Sequence, residues 1–269
     1  QRAKTEIYTS EHRQIARQIA AQSFVLLKNK GNVLPIKKAG KIALIGPLAD
    51  AANNMAGTWS VATVQNRSVS GLAGLKEAVG NKAEVLYAKG SNLTENATLE
   101  ENATMFGKSL NRDPRPAAEI RQEAVKIAEQ SDVIIAALGE SAEMSGEASS
   151  RSHIGIPMVQ QQLLKELLKT GKPVVLLLFT GRPLTLTWED KNVPAILNVW
   201  FAGSEAGNAI ADVVFGDVNP SGKITMTFPQ NIGQIPIYYA HKNTGRPLEE
   251  GKWFSKFRSN YLDVSNDPL

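Results

Sequence analysis

Three carboxylates crowd one short stretch, Glu140-Ser141-Ala142-Glu143-Met144-Ser145-Gly146-Glu147, and Arg151 follows close behind. A carboxyl group held in a loop can protonate a leaving group, which is the chemistry of glycosidases and related hydrolases. Gly146, with no side chain, lets backbone approach a ligand beside Glu147. The plain structural reading makes Glu147 a loop carboxylate paired with Arg151, an arrangement of little stabilising value at a surface. Residue types alone leave these two readings level. Glu140 and Glu143 are expected to orient the loop or face solvent. No second carboxylate in the chain is as convincing. Asp50, in Gly46-Pro47-Leu48-Ala49-Asp50, is the one internal candidate, and its position suits capping or loop hydrogen bonding better.

Other chemistries find less support. Ser145 sits in Met-Ser-Gly rather than Gly-x-Ser-x-Gly, so no nucleophile elbow is indicated. Gly46 and Gly139 each end an apolar run but open no phosphate-binding glycine pattern. His12, His153 and His241 lack metal-ligand spacing, and the chain has no cysteine, so thiolate metal sites and disulfides are excluded. The net charge of +4 is small, and the basic cluster from Lys242 to Arg258 is not interleaved into a stripe, which argues against nucleic acid. No apolar run is long enough to span a membrane, and Gln1 to Ser10 carries no signal-peptide pattern. No metal or organic cofactor is implied. Of the tryptophans, Trp59 lies among small residues in Ala56-Gly57-Thr58-Trp59-Ser60. Its flat face would suit the C–H face of a sugar, although composition favours a partly buried core aromatic. Trp188 and Trp200 read as packing residues, and Trp253 as packing the tail or facing another domain.

The elements that must position these residues alternate. Ile15, Ala16, Ile19, Ala20 and Phe24 recur at helical spacing from His12 to Phe24. Strands are expected at Lys41–Ile45, Glu84–Ala88, Val133–Leu138, Pro173–Phe179 and Ala195–Trp200, the first and third of them buried, and an edge strand at Lys223–Phe228. Helices are expected at Ser70–Val79, Ala117–Gln130, Pro157–Lys169 and Gly203–Phe215. Ser91 to Pro116 is polar and too long for an ordinary connection, so it reads as an excursion over the surface or over a site. This alternation predicts an α/β fold: a mostly parallel sheet with helices on both faces, a three-layer sandwich, with one antiparallel edge strand. The organisation expected is a linker and helix at 1–30, the sandwich at 31–228, and an irregular aromatic and basic tail at 229–269. The glutamate loop then leaves the carboxyl end of a strand, where open α/β sheets bind ligands.

Several segments, taken in order, resemble glycoside hydrolase family 3, most closely its periplasmic β-glucosidase branch. They are Ser23–Asn29, Ile45–Ala49, Gly57–Ser60, Met144–Glu147, Phe201–Gly207, Asn219–Lys223 and Thr227–Pro229. The likeness covers essentially the whole chain. Such enzymes have an N-terminal (β/α)8 barrel, then an α/β sandwich, and often a fibronectin-like domain; this chain resembles the sandwich, with both ends at its borders. The resemblance implies that Glu147 is the general acid/base of a retaining β-glycosidase, with Glu143 in reserve. It further implies that Trp59 and Arg151 serve the substrate site, Arg151 by holding the loop or the glutamate. The nucleophilic aspartate would lie in the barrel, so the isolated chain would be inactive. The implied partners are a β-glucoside or oligosaccharide and the barrel domain; the implied location is periplasmic or secreted. A non-catalytic carbohydrate-binding or interaction module of the same fold is the alternative.

Overall fold

The computed structural model describes residues 3–61, 63–64, 67–240, 242, 245–247 and 257–269. His241, Trp253 and much of the basic cluster lie outside these. The elements run α1 (Ala3–Glu6), α2 (Ser10–Ser23), β1 (Val25–Asn29), β2 (Gly40–Ile45), α3 (Gly71–Val79), β3 (Ala83–Ala88), α4 (Ala97–Asn102), α5 (Ala117–Glu129), β4 (Val133–Gly139), α6 (Met158–Lys169), β5 (Val174–Phe179), α7 (Thr187–Asn192), β6 (Ala195–Asn198) and α8 (Ala206–Val214). The six strands form one sheet in the order β1-β6-β5-β4-β2-β3. Every pairing is parallel except β1 against β6.

The strands are continuous apolar runs because both faces of the sheet are covered. Side chains alternate between two cores. Ile42, Leu44, Ile135, Val175, Leu177 and Leu197 join residues of α2, α3 and α8 on one face. Ala43, Ile45, Ile134, Leu176, Leu178 and Ile196 join residues of α5 and α6 on the other. The three layers and the mostly parallel sheet are as the alternation of elements predicts. Full burial of each Leu or Ile contributes about 1.5–3 kcal/mol, and this two-sided packing is what makes the sheet a rigid platform.

The antiparallel edge strand, however, is β1 and not Lys223–Phe228. Residues 223–228 form no strand, and Ile224 and Met226 point outward, 50% and 65% exposed. The edge of β6 is already taken by β1, so the alternating pattern at 223–228 has no ladder to join. α2 also differs from its sequence pattern. Ala20 and Phe24 are buried as expected, with Ala21 beside them, but Ile15 and Ile19 are 46% and 61% exposed. The face turned to α8 instead carries Arg13 and Arg17, paired with Glu205 and Asp212.

The topology sets the site. β2 connects outward to β3, the chain returns past β2 to β4, and β5 and β6 then follow on the opposite side. The carboxyl ends of β2 and β4 therefore flank the point where the winding reverses, and their loops part there to leave a crevice.

Candidate active site

An open trough of about 380 Å³ lies on this rim, and loops from the carboxyl ends of four parallel strands wall it. Ala56, Gly57, Thr58 and Trp59 come from the loop after β2, and Ser145 and Gly146 from the loop after β4. Thr180 and Gly181 follow β5, while Trp200 and Phe201 follow β6. Trp59 is 71% exposed, so it is no core aromatic. Trp200 does two jobs. It packs on the core beneath and lines the trough, held at φ 51° with its indole N–H donating to Ser23 O at 3.2 Å. A bulky residue at positive φ is an uncommon conformation that its surroundings must enforce.

The loops are welded to one another. A Cβ on Gly181 would lie 2.1 Å from Ser145 Oγ, and one on Gly146 would lie 2.6 Å from Thr58 Cγ2. Only glycine permits such approach. Asn54 Oδ1 accepts from Ala142 N at 3.0 Å, while its amide donates to Lys108 O at 2.8 Å. Ser141 Oγ donates to Ala103 O at 2.5 Å. The Ser91–Pro116 excursion thus packs against the site loops, which is the second of the two roles its length and polarity allow.

The three carboxylates have separate fates. Glu140, wholly buried, faces two guanidinium groups. Arg151 Nη1 donates to its Oε1 at 2.8 Å, and Arg182 Nε stands 3.2 Å from the same oxygen. That second contact is close enough for an ion pair but not aligned as a hydrogen bond. Thr180 Oγ1 lies 2.8 Å from Glu140 Oε2. Glu143 is paired at both oxygens, with Lys108 Nζ at one and Thr58 Oγ1, at 2.9 Å, at the other. Both therefore orient loops, and Glu140 faces no solvent. Glu147 alone is exposed, at the turn that follows two trough-lining residues. Its carboxylate takes no ion pair or hydrogen bond among the described residues, where only its main-chain oxygen accepts, from Ser149 Oγ at 3.1 Å.

Arg151 is turned inward. Besides Glu140 it donates to Gly155 O at 3.1 Å, so the pairing with Glu147 that the four-residue spacing suggests is not made. Asp50 accepts from Ser70 Oγ at 2.7 Å, and Ser70 caps α3, which is the loop-bonding role its position suggests. Sequence reasoning passed over Arg182 and Thr180. Their signal was available: Thr180-Gly181-Arg182-Pro183 leaves the carboxyl end of β5 on the same rim as the glutamate loop. Among the described residues, no cluster of three His, Cys, Asp or Glu could hold a metal ion.

A larger hollow, about 500 Å³, lies against α5, α6 and Trp188, where Lys165 stands 4.9 Å from the Trp188 ring centre. Its one carboxylate, Glu166, is paired with Lys169 at 2.7 Å. It is away from the strand ends and offers no group for acid–base work.

Comparison with known proteins agrees with this architecture. Residues 24–261 match the glycosyl hydrolase family 3 C-terminal domain. A periplasmic beta-glucosidase of Salmonella typhimurium is 50% identical over 96% of this chain and 34% of its own length. A beta-xylosidase of Formosa agariphila is 36% identical over 88% of this chain and 31% of its own. The crystal structure of a beta-glucosidase from Listeria innocua in complex with glucose superposes with a TM-score of 0.83 at 38% identity, covering 98% of this chain and 33% of that one. The chain spans about a third of the length of each relative. No helix among the described residues is long and apolar enough to cross a membrane. With the family's C-terminal domain matched over residues 24–261 and relatives 50% and 38% identical across nearly the whole chain, this chain belongs to glycoside hydrolase family 3, as its C-terminal domain.

Proposed function

We propose that this chain forms part of a retaining β-glucosidase acting on terminal β-linked glucosyl residues, and that Glu147 is its general acid/base. The observation that carries the reading is one of elimination at a single loop. Glu140 and Glu143 are committed to cations and hydroxyls, whereas Glu147 is exposed beside an aromatic trough. Trp59 and Trp200 present flat apolar faces on which the C–H face of a sugar can rest.

Two carboxyl groups do the chemistry in a retaining glycosidase, about 5–5.5 Å apart across the scissile bond. The nucleophile comes from a barrel domain outside this chain and attacks the anomeric carbon. As the glycosidic C–O bond breaks, Glu147 gives its proton to the departing oxygen. The Glu147 carboxylate then takes a proton from water, whose oxygen attacks the anomeric carbon and releases the nucleophile. Protonation by a positioned acid supplies about 10²–10⁴ in rate. Glu143 stays in reserve as an acid/base only if its bond to Lys108 opens.

Hydrolysis of an aryl β-glucoside tests this directly. The chain alone is expected to give no turnover. Mixed with a matching barrel domain it should hydrolyse the glucoside, and Glu147→Gln should lower that rate by about 10²–10⁴. Turnover by the chain alone would mean that the second carboxylate lies within it. The exposed trough also fits a non-catalytic sugar-binding module, in which case sugar affinity survives Glu147→Gln and the mixture stays inactive.

A further inference from the structure

We propose that Arg182 is a positioning residue: anchored on buried Glu140, it clamps both ends of the 145–148 turn and so fixes the Glu147 carboxylate. The proposal rests on Glu147 being the acid/base. One guanidinium nitrogen, Arg182 Nη2, donates to Met144 O and, at 2.8 Å, to Ser149 O. These two carbonyls bracket the four residues Ser145, Gly146, Glu147 and Ala148. Between them the turn has one local hydrogen bond, Ser149 Oγ to Glu147 O at 3.1 Å, and its packing on Thr58 and Gly181. Gly146 stands at φ 151° and Ala148 at φ 54°, and positive φ is unfavourable for alanine unless the surroundings impose it.

The anchor is built to keep the guanidinium in place. Arg182 Nε lies 3.2 Å from Glu140 Oε1, which Arg151 also engages. Arg182 N donates to Thr180 Oγ1 at 3.1 Å, and the same hydroxyl lies 2.8 Å from Glu140 Oε2. Glu140 is fully buried, and taking a carboxylate and two guanidinium groups out of water is costly. Apolar side chains of similar volume would fill this space at least as stably, but they could not reach two carbonyls on opposite sides of a turn. The guanidinium sets Nη2 on both carbonyls while Nε faces the carboxylate, two positions that the single nitrogen of a lysine cannot fill at once. Placement of the acid matters because a shift of about 1 Å in a catalytic group can cost about 10² in rate.

The test uses the full-length enzyme carrying Arg182→Lys, assayed on an activated aryl β-glucoside and on an alkyl β-glucoside whose leaving group needs the proton. A misplaced acid should lower kcat/KM, which reports the bond-breaking step, about tenfold or more on the alkyl substrate beyond any loss on the aryl one. Amide exchange across residues 144–149 should quicken about tenfold or more while the melting transition stays in place. Thr180→Val, which removes one anchor without removing the arginine, should move both readouts the same way by less. Unchanged exchange at 144–149 in both variants would overturn the clamp, as would equal losses on the two substrates. Glu147→Gln, run beside them, separates the two ideas. If it shows no preference for losing the alkyl substrate, the acid/base reading falls, and the catalytic half of this proposal with it. If it shows that preference and Arg182→Lys does not, the clamp alone is wrong.

Discussion

At Gly181 a single methyl group decides whether the trough keeps its shape. The Cβ of Gly181→Ala would fall 2.1 Å from Ser145 Oγ and 2.8 Å from Ser145 Cβ, so the loops after β4 and β5 must separate. Overpacking of this kind costs about 1–3 kcal/mol, and a lowered melting temperature together with weakened sugar binding is the expected result. Trp59→Ala should behave oppositely. With the ring 71% exposed, stability should stay within about 0.5 kcal/mol, while KM for a β-glucoside rises in the complete enzyme. Denaturant unfolding and steady-state kinetics separate the two effects. At this scale the sequence was informative about where chemistry could sit and poor at naming partners. The exposed loop position of Glu147 was legible because loop carboxylates stand out, whereas the exposure of Trp59 ran against a composition that favoured a core aromatic. The partner of Arg151 was not, since it lies eleven residues upstream rather than four. Arg182 was harder still, because it bonds backbone carbonyls 38 and 33 residues away, and carbonyls carry no sequence signal.

α2 shows why an apolar stripe need not be a buried one. Its side facing α8 meets Glu205 and Asp212, so charge complementarity directs Arg13 and Arg17 inward and leaves Ile15 and Ile19 outside. Glu205 is 2% exposed and gathers Arg13, Tyr8 and the Asn208 amide. Glu205→Gln should therefore cost about 1.5–3 kcal/mol, whereas Ile15→Ser should change stability by no more than about 0.5 kcal/mol. Urea denaturation of both variants checks the pair, and the reverse order would mean that the helix packs by its isoleucines. The excursion before α5 carries a second electrostatic tie. Arg115 bonds the Asp113 carboxylate through its side chain and its N–H, holding that carboxyl down at about 2. A depressed carboxyl stabilises the fold above its unfolded value near 4, and the contribution disappears as pH falls towards 2. Arg115→Gln should move the Asp113 titration, followed by NMR, back up towards that ordinary value.

On the scale of the whole molecule, the parallel core was the most legible part, because strands covered on both faces must be nearly unbroken runs of Val, Leu, Ile and Ala. The edge was the least legible. β1 has the burial of a half-covered strand, its later residues only partly buried, and 223–228 alternates more cleanly yet joins no sheet among the described residues. Which segment takes an edge depends on what is already docked there, and periodicity does not record that. The winner has a consequence for how the chain is made. Val25 pairs with Asn198 and Asn29 with Ala195, so β1 is made roughly 170 residues ahead of its strand partner, about 8–34 seconds at about 5–20 residues per second. Through that interval the nascent domain carries an unclaimed strand while the rest of its sheet is still being made. Closure of the edge is a late event in the making of this sheet, and its first strand in chain order is among the last to be protected.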